Sequence, residues 1–309
     1  MLTLSGLLEE IDRMKPDTLL KLIVDVQERI RSEREKEACG STHITGGLVT
    51  FDPKGSALVV GDLHGDFTSL RHILADSDIL EKLKRDFSVI FLGDYGDRGA
   101  YSPEVYYAVL RMKAEFPDRI VLLRGNHEGP RDLLALPHDL PHQFQERFGS
   151  EGKRTYESVI ELFPFLYHAV IVPDKYLLVH GGVPSDMRSM DDLARADRTH
   201  PHTPFLEEIL WSDPREQMEG AVPSPRGAGK LFGPDVTERA LRLLNVKTLI
   251  RGHEPAAEGY AVSHNGRVLT LFSRIGFPYF NLKGAFLTLD LNRAAADAWS
   301  LLDSVSTVE

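Results

Sequence analysis

Five short apolar runs in this 309-residue chain end in the same way, and that recurrence limits what the chain can fold into. Val89-Ile90-Phe91-Leu92 runs directly into residues 93–99, Gly-Asp-Tyr-Gly-Asp-Arg-Gly. Leu58-Val59-Val60 precedes Gly61-Asp62-Leu63-His64-Gly65, and Ile120-Val121-Leu122-Leu123 precedes Arg124-Gly125-Asn126-His127-Glu128. Tyr176-Leu177-Leu178-Val179 leads to His180-Gly181-Gly182, and Leu249-Ile250 to Arg251-Gly252-His253. An apolar run bounded by turn residues reads as a buried strand. Open α/β sheets build their sites just past the carboxyl ends of such strands. A lone Gly-Asp is a turn. Five strand ends that each present Asp, Asn or His beside glycine describe a metal centre, because these are the hard and borderline ligands of divalent cations.

The spacing between these runs is helical. Residues 66–83 carry Leu70, Ile73, Leu74 and Leu80, and residues 103–116 carry Val105, Val109 and Met112, each on one face of a helix. A β-α-β-α-β order implies parallel strands joined by right-handed crossovers. Upstream, a helix is predicted from Met14-Lys15-Pro16-Asp17, with Leu19, Leu20, Ile23, Val26 and Ile30 on its apolar face. The charged run 31–37 reads as its solvated end, and 40–47 as a break. Farther on, 129–168 reads as helical and irregular, 169–172 and 176–179 as a hairpin, and 186–229 as a Pro-rich binding loop. A helix over 234–244 and strands over 268–272 and 285–291 complete the chain.

The net charge of −10 argues against nucleic-acid partners, which need a basic footprint. An anionic substrate would then need a locally positive site, which bound cations supply. One cysteine, Cys39, excludes an internal disulfide and a Cys-based zinc cluster. Charges interrupt every apolar stretch of residues 1–20, so neither a signal peptide nor a membrane contact is expected, and the cytoplasm is the expected location.

Taken together, these sets resemble the signature of the PPP family of serine/threonine protein phosphatases, within the calcineurin-like metallophosphoesterases. Leu210-Trp211-Ser212-Asp213-Pro214, Arg226-Gly227 and Leu271-Phe272-Ser273 extend the match, which runs from about residue 48 to 291. The resemblance implies an α/β layered fold: a central β-sandwich flanked by helices, with the metal site at strand C-terminal ends. It divides the chain into an N-terminal helical extension, 1–45, and a catalytic domain, 46–309. It implies hydrolysis of phosphoserine and phosphothreonine monoesters by a hydroxide bridging two divalent metals, Mn²⁺ first, with Fe and Zn²⁺ also fitting the mixed O/N ligands. By resemblance Asp62, His64 and Asp94 hold one metal, and Asp94, Asn126, His180 and His253 the other. Arg98, Arg226 and Asn126 bind the phosphate. His127 is the general acid, oriented by Asp97. Glu128 is expected to hold Arg124 or a backbone group. His138, His142, His200 and His202 lie in irregular stretches and receive no role.

Two departures from the family stand out. Gly96 replaces a valine and is expected to loosen its loop. Gly276-Phe277-Pro278 stands where the family has Asn-Tyr-Cys, an alignment that removes a tyrosine hydroxyl facing the phosphate, although Tyr279 lies two residues on. That residue pair also lines the toxin-binding surface of the eukaryotic relatives, so weak inhibition by microcystin and okadaic-acid-type toxins is expected. The expected partners are phosphoproteins or phosphopeptides, and no regulatory subunit is evident. The alternatives are another metallophosphoesterase, such as a dinucleoside tetraphosphatase or a phosphodiesterase, and a catalytically silent binding module on the same scaffold.

Overall fold

The computed structural model describes residues 2–52 and 54–309. Two sheets carry the fold. The smaller has five strands in the order Val305–Val308, Gly284–Asp290, Ser56–Val60, Phe87–Phe91, Ile120–Leu122. Its last three strands are parallel, with Val60 opposite Phe91 and Phe91 opposite Leu122. The helix Phe67–Asp76 joins the first pair and Ser102–Glu115 the second. The larger sheet has eight strands, and Tyr176–Val179, Thr248–Arg251 and Val268–Leu271 run parallel within it.

The alternation of side chains along the larger sheet decides how it is buried. Val170, Val172, Leu178, Ile250 and Leu269 join the core shared with the smaller sheet. Their neighbours Ala169, Ile171, Leu177, Val179 and Leu249 join a second core. That second core is closed by Leu206, Ile209 and Leu210 of the helix Phe205–Trp211 and by Val236, Ala240 and Leu244 of Pro234–Leu244. The layered α/β sandwich is therefore as the resemblance implied. A backbone bridge between Asp62 and Phe272 ties the two sheets at the point where their carboxyl ends meet.

The 16–35 helix begins at Pro16 as predicted, and Leu19, Ile23, Val26 and Ile30 are wholly buried. Each such side chain is worth roughly 1.5–3 kcal/mol of burial. A shorter helix, Leu4–Asp12, precedes it, with Leu7 and Ile11 buried; it is not among the helices expected from the sequence, although Leu4, Leu7, Leu8 and Ile11 have helical spacing. The predicted 66–83 helix is two, Phe67–Asp76 and Ile79–Lys82, split where Asp78 turns to φ 49°. The stretch expected as a break holds the strand Thr42–Thr45, paired with Leu48–Thr50 at the edge of the larger sheet. The Pro-rich 186–229 stretch includes the helix Phe205–Trp211, so it is less irregular than its prolines indicate. Among the described residues, no helix is long and apolar enough to cross a membrane.

The 31–37 run is not wholly a solvated face. Glu33 is buried and accepts from Lys113 Nζ at 2.8 and 3.0 Å and from Tyr167 Oη at 2.6 Å. Lys113 lies on the helix Ser102–Glu115, so this ion pair docks the N-terminal helix onto the sandwich. Removing one partner of a buried pair strands the other charge at a cost of about 3–5 kcal/mol. Glu33→Ala is expected to lose about that much stability in urea unfolding, and adding Lys113→Met should recover part of it. A single variant as stable as the parent would contradict this account of the docking.

Candidate active site

Four of the five strand-end sets line one cavity of about 350 Å³, and the fifth reaches it through His180, 3.1 Å from Asn126. Asp62 and His64 follow Ser56–Val60, Asp94 follows Phe87–Phe91, and Asn126 and His127 follow Ile120–Leu122, all from the smaller sheet. His180 and His253 follow Tyr176–Val179 and Thr248–Arg251 of the larger one. Neither sheet alone holds the set.

Asp94 lies at the centre. Its Oδ2 is 3.3 Å from His64 Nε2 and 3.4 Å from His180 Nε2. Asp62 Oδ2 lies 3.7 Å from His64 Nε2. On the other side Asn126 Oδ1 is 3.1 Å from His180 Nε2 and 3.0 Å from His253 Nδ1, and those two ring nitrogens are 3.2 Å apart. The remaining atoms of these side chains are tied back. His64 Nδ1 meets Gly96 O at 3.0 Å and His180 Nδ1 meets Leu92 O at 2.9 Å, which aims both Nε2 atoms inward. Asp62 Oδ1 accepts from His253 N, and Asp94 Oδ1 from His127 N.

What results is a cluster of acceptors facing acceptors. Asp62 Oδ2 is buried without a hydrogen-bond partner, and His253 turns Nδ1 into the cluster while its unpaired Nε2 lies toward Asp213. Asn126 points its oxygen, not its amide nitrogen, at three acceptors; the reversed amide would donate to His180, His253 and Asp94. Oxygen inward is the orientation that a cation selects. Positive charge is scarce here: burial pushes His64 down to about 3 and drives His253 well down. His180 is the exception, since burial lowers it but the Asp94 carboxylate carries it up to about 9. The donor set fits divalent cations, with Asp94 the residue common to both groups of ligands.

His127 Nδ1 is 2.7 Å from Asp97 Oδ2, which leaves Nε2 facing the cavity. Burial depresses His127, but Asp94 and then Asp97 outweigh it and hold it above the ordinary histidine value. Asp97 itself is driven far down, because its histidine bonds overcome burial. Arg98 Nη2 donates to Leu136 O at 3.0 Å and lies 3.5 Å from His127 Nε2, while its buried Nε has no partner. Arg226 lines the same cavity; its Nε is 3.1 Å from Asp213 Oδ2, an ion-pair distance without hydrogen-bond alignment. Asp213 also takes Arg251 Nη2 at 2.8 Å, which links the Trp211–Pro214 motif to the His253 turn.

Glu128 holds backbone groups as expected, and more than one: its carboxylate accepts from Asp94 N, Tyr95 N, Gly125 N and Tyr106 Oη, at 2.8–3.1 Å. Three other residues depart from their sequence reading. Gly96 is not a loosened valine position, because a Cβ there would come within 2.8 Å of Leu140 and Tyr106. The tyrosine expected to be missing is present, two residues on. Phe277 is 74% exposed, whereas Tyr279 lines the cavity, stacks on His64 at 5.3 Å and brings its hydroxyl within 3.5 Å of Arg98 Nη1. Weak toxin binding therefore cannot be argued from a lost hydroxyl. His138, given no role, has its Nδ1 2.9 Å from Asp97 Oδ2; its short, proline-flanked stretch carries no periodic signal. His142 is bonded at most to Glu146 on its own helix, and His200 to Asp132, away from the cavity.

Comparison with known proteins agrees with this geometry. The calcineurin-like phosphoesterase family profile matches residues 56–257. A probable serine/threonine-protein phosphatase of Encephalitozoon cuniculi is 33% identical over 275 residues, 88% of this chain. The chain spans 58% of that relative's length. Among solved structures, a serine/threonine phosphatase of Saccharomyces cerevisiae with similarity to human phosphatase PP5 superposes with a TM-score of 0.77 at 25% identity, covering 96% of this chain and 90% of the other. A cold-active protein-tyrosine phosphatase of a psychrophilic Shewanella shares the fold at 16% identity, with a TM-score of 0.57 over 86% of this chain and 83% of its own. The resemblance read from the strand-end motifs is borne out: the chain belongs to the calcineurin-like phosphoesterase family.

Proposed function

We propose that this chain is a dinuclear metal-dependent protein phosphatase that hydrolyses phosphoserine and phosphothreonine monoesters. The observation that carries the reading is Asp94 Oδ2, which faces His64 at 3.3 Å and His180 at 3.4 Å and so serves two ligand groups at once. Asp62, His64 and Asp94 would hold one cation, and Asp94, Asn126, His180 and His253 the second, with Mn²⁺ the expected metal. When bound, such a pair neutralises phosphate charge and makes a nucleophile of water at neutral pH. The names of the Encephalitozoon relative and the yeast structure support the substrate class. The chemistry is assigned to residues 46–309, with 1–45 as an extension docked on them.

The protein's own groups have separable tasks in this reading. Arg98 and Arg226 grip the phosphate oxygens, and the free Nε of Arg98 is the group best placed to change partners. Asn126, whose oxygen faces His180 and His253, would help hold a cation and would contribute to binding the phosphate. Tyr279 stacks on His64 and lies against the Arg98 guanidinium, so it packs the wall of the site between a proposed metal ligand and a proposed phosphate ligand. His127, held at Nδ1 by Asp97, offers the proton at Nε2 to the departing alkoxide.

The purified protein with Mn²⁺, assayed on a phosphothreonine peptide, diadenosine tetraphosphate and a phosphate bis-ester, should turn over the peptide fastest. Preference for the tetraphosphate or the bis-ester would move the chain to another branch of its family, and inactivity on all three would leave a binding module. Within the active protein, His127→Gln should lower kcat on the peptide by about 10²–10⁴, the usual worth of a general acid. The fall should be much smaller on p-nitrophenyl phosphate, whose leaving group needs little protonation. Equal losses on both substrates would falsify the acid role.

A further inference from the structure

We infer that His138 is a positioning residue for the His127–Asp97 pair, an inference that rests on the general-acid reading of His127. Asp97 is completely buried and all its acceptor directions are occupied. Oδ1 accepts from the backbone N–H groups of Asp139 at 3.0 Å and Leu140 at 2.7 Å, at the start of the helix Leu140–Phe148. Oδ2 lies between two imidazoles, His127 Nδ1 at 2.7 Å and His138 Nδ1 at 2.9 Å. The far nitrogen of His138 is 2.7 Å from Tyr156 Oη on the helix Gly152–Leu162.

With His138 neutral, one order of protons satisfies every one of these contacts. An ionised Asp97 has none to give, so both Nδ1 atoms donate to it. His138 Nε2 is then the acceptor, and the Tyr156 hydroxyl donates to it. The bond from His138 matters because the two histidines approach the same oxygen. With it, Asp97 cannot turn about its Cβ–Cγ bond without breaking four hydrogen bonds. Without it, the backbone bonds still hold Oδ1, but His127 is the one remaining donor to Oδ2, and nothing on the far side fixes the angle at which the two meet. The tilt of the His127 ring, and with it the direction in which Nε2 faces the cavity, is thus fixed from outside by a residue that touches neither the cavity nor the proposed ligands. Asp97 also sits at φ 65°, a left-handed conformation that needs such restraint.

The test compares phenyl phosphate, a poor leaving group, with p-nitrophenyl phosphate, a good one, on the Mn²⁺-loaded full chain and three variants. His138→Leu removes the donor. His138→Asn keeps an N–H where Nδ1 stood, and Tyr156→Phe cuts only the far bond. Outer partners of this kind are typically worth about 10–100-fold in activity. His138→Leu should therefore lower kcat on phenyl phosphate about ten-fold or more with KM unchanged, and on p-nitrophenyl phosphate less than about two-fold. His138→Asn should restore most of the loss, and Tyr156→Phe should fall between the two. Equal losses on both substrates, an unchanged kcat in His138→Leu, or an asparagine variant as impaired as the leucine one would overturn the inference. Because both substrates are aryl phosphates, failure of the wild type on phosphopeptides would tell against the protein-phosphatase reading without touching this one.

Discussion

The four hydrogen bonds that Glu128 accepts around residues 94, 95, 106 and 125 hold the geometry on which the rest of the site depends. Asp94 has φ 54°, in the left-handed region where a non-glycine residue costs of order 1–3 kcal/mol. Turning there, rather than continuing the strand, aims its carboxylate across the gap between the sheets. The buried Glu128 carboxylate caps the turn by taking the N–H groups of Asp94 and Tyr95 together. Gly125 lets the two turns touch, since a Cβ on it would come within 2.1 Å of Asp94 Oδ1. His64, Asp97, Arg98 and His253 share the left-handed conformation, at φ 43°, 65°, 73° and 72°. At these five positions the strain falls where the side chains must leave their strands, and two well-packed cores over-determine it.

Charge follows from that geometry. The sheets bring Asp62, Asp94 and Asp97 into a wholly buried region, and Glu128 stands directly behind them. Isolated buried carboxylates are costly, so each has a distinct compensation. Asp97 has its two imidazoles and a helix start, and Glu128 has backbone amides and Tyr106. Asp62 keeps one oxygen unpaired, and burial raises it above the usual carboxylate range. Asp94 keeps its charge by sharing it with His180 and His127 against the pull of burial. The unmet demand for positive charge therefore falls on the side where Asp62, Asp94, Asn126 and His253 converge. In a chain of net charge −10, that is also where an anionic substrate needs help to enter.

The residues that gather at the site were legible because each lies within a few positions of a strand's end, so one local pattern names both the strand and the side chain it carries. The fold class followed from the same pattern, since parallel strands with intervening helices allow few arrangements. What could not be read depends on distant residues meeting. Glu33 sits in a run of charges that looks solvated, and only the approach of Lys113 and Tyr167 makes it a buried partner. Gly96 looked like a relaxed valine until Leu140 and Tyr106 were seen to fill the space. Tyr279 was displaced by two positions because the loop after Ser273 keeps the place of the ring and not the spacing. His138 had no periodicity to mark it; its importance lies wholly in a carboxylate 41 residues earlier in the chain.

The central claim is that one carboxylate oxygen serves two metal ions. Electron paramagnetic resonance on protein loaded with two equivalents of Mn²⁺ tests it directly, because ions ~3.5–4 Å apart through a shared ligand couple their spins. The account predicts a spin-coupled spectrum from the wild type and its loss in Asp94→Asn, with the uncoupled six-line signal of isolated Mn²⁺ in its place. An isolated-ion spectrum from the fully loaded wild type, or a coupled one that survives Asp94→Asn, would contradict it.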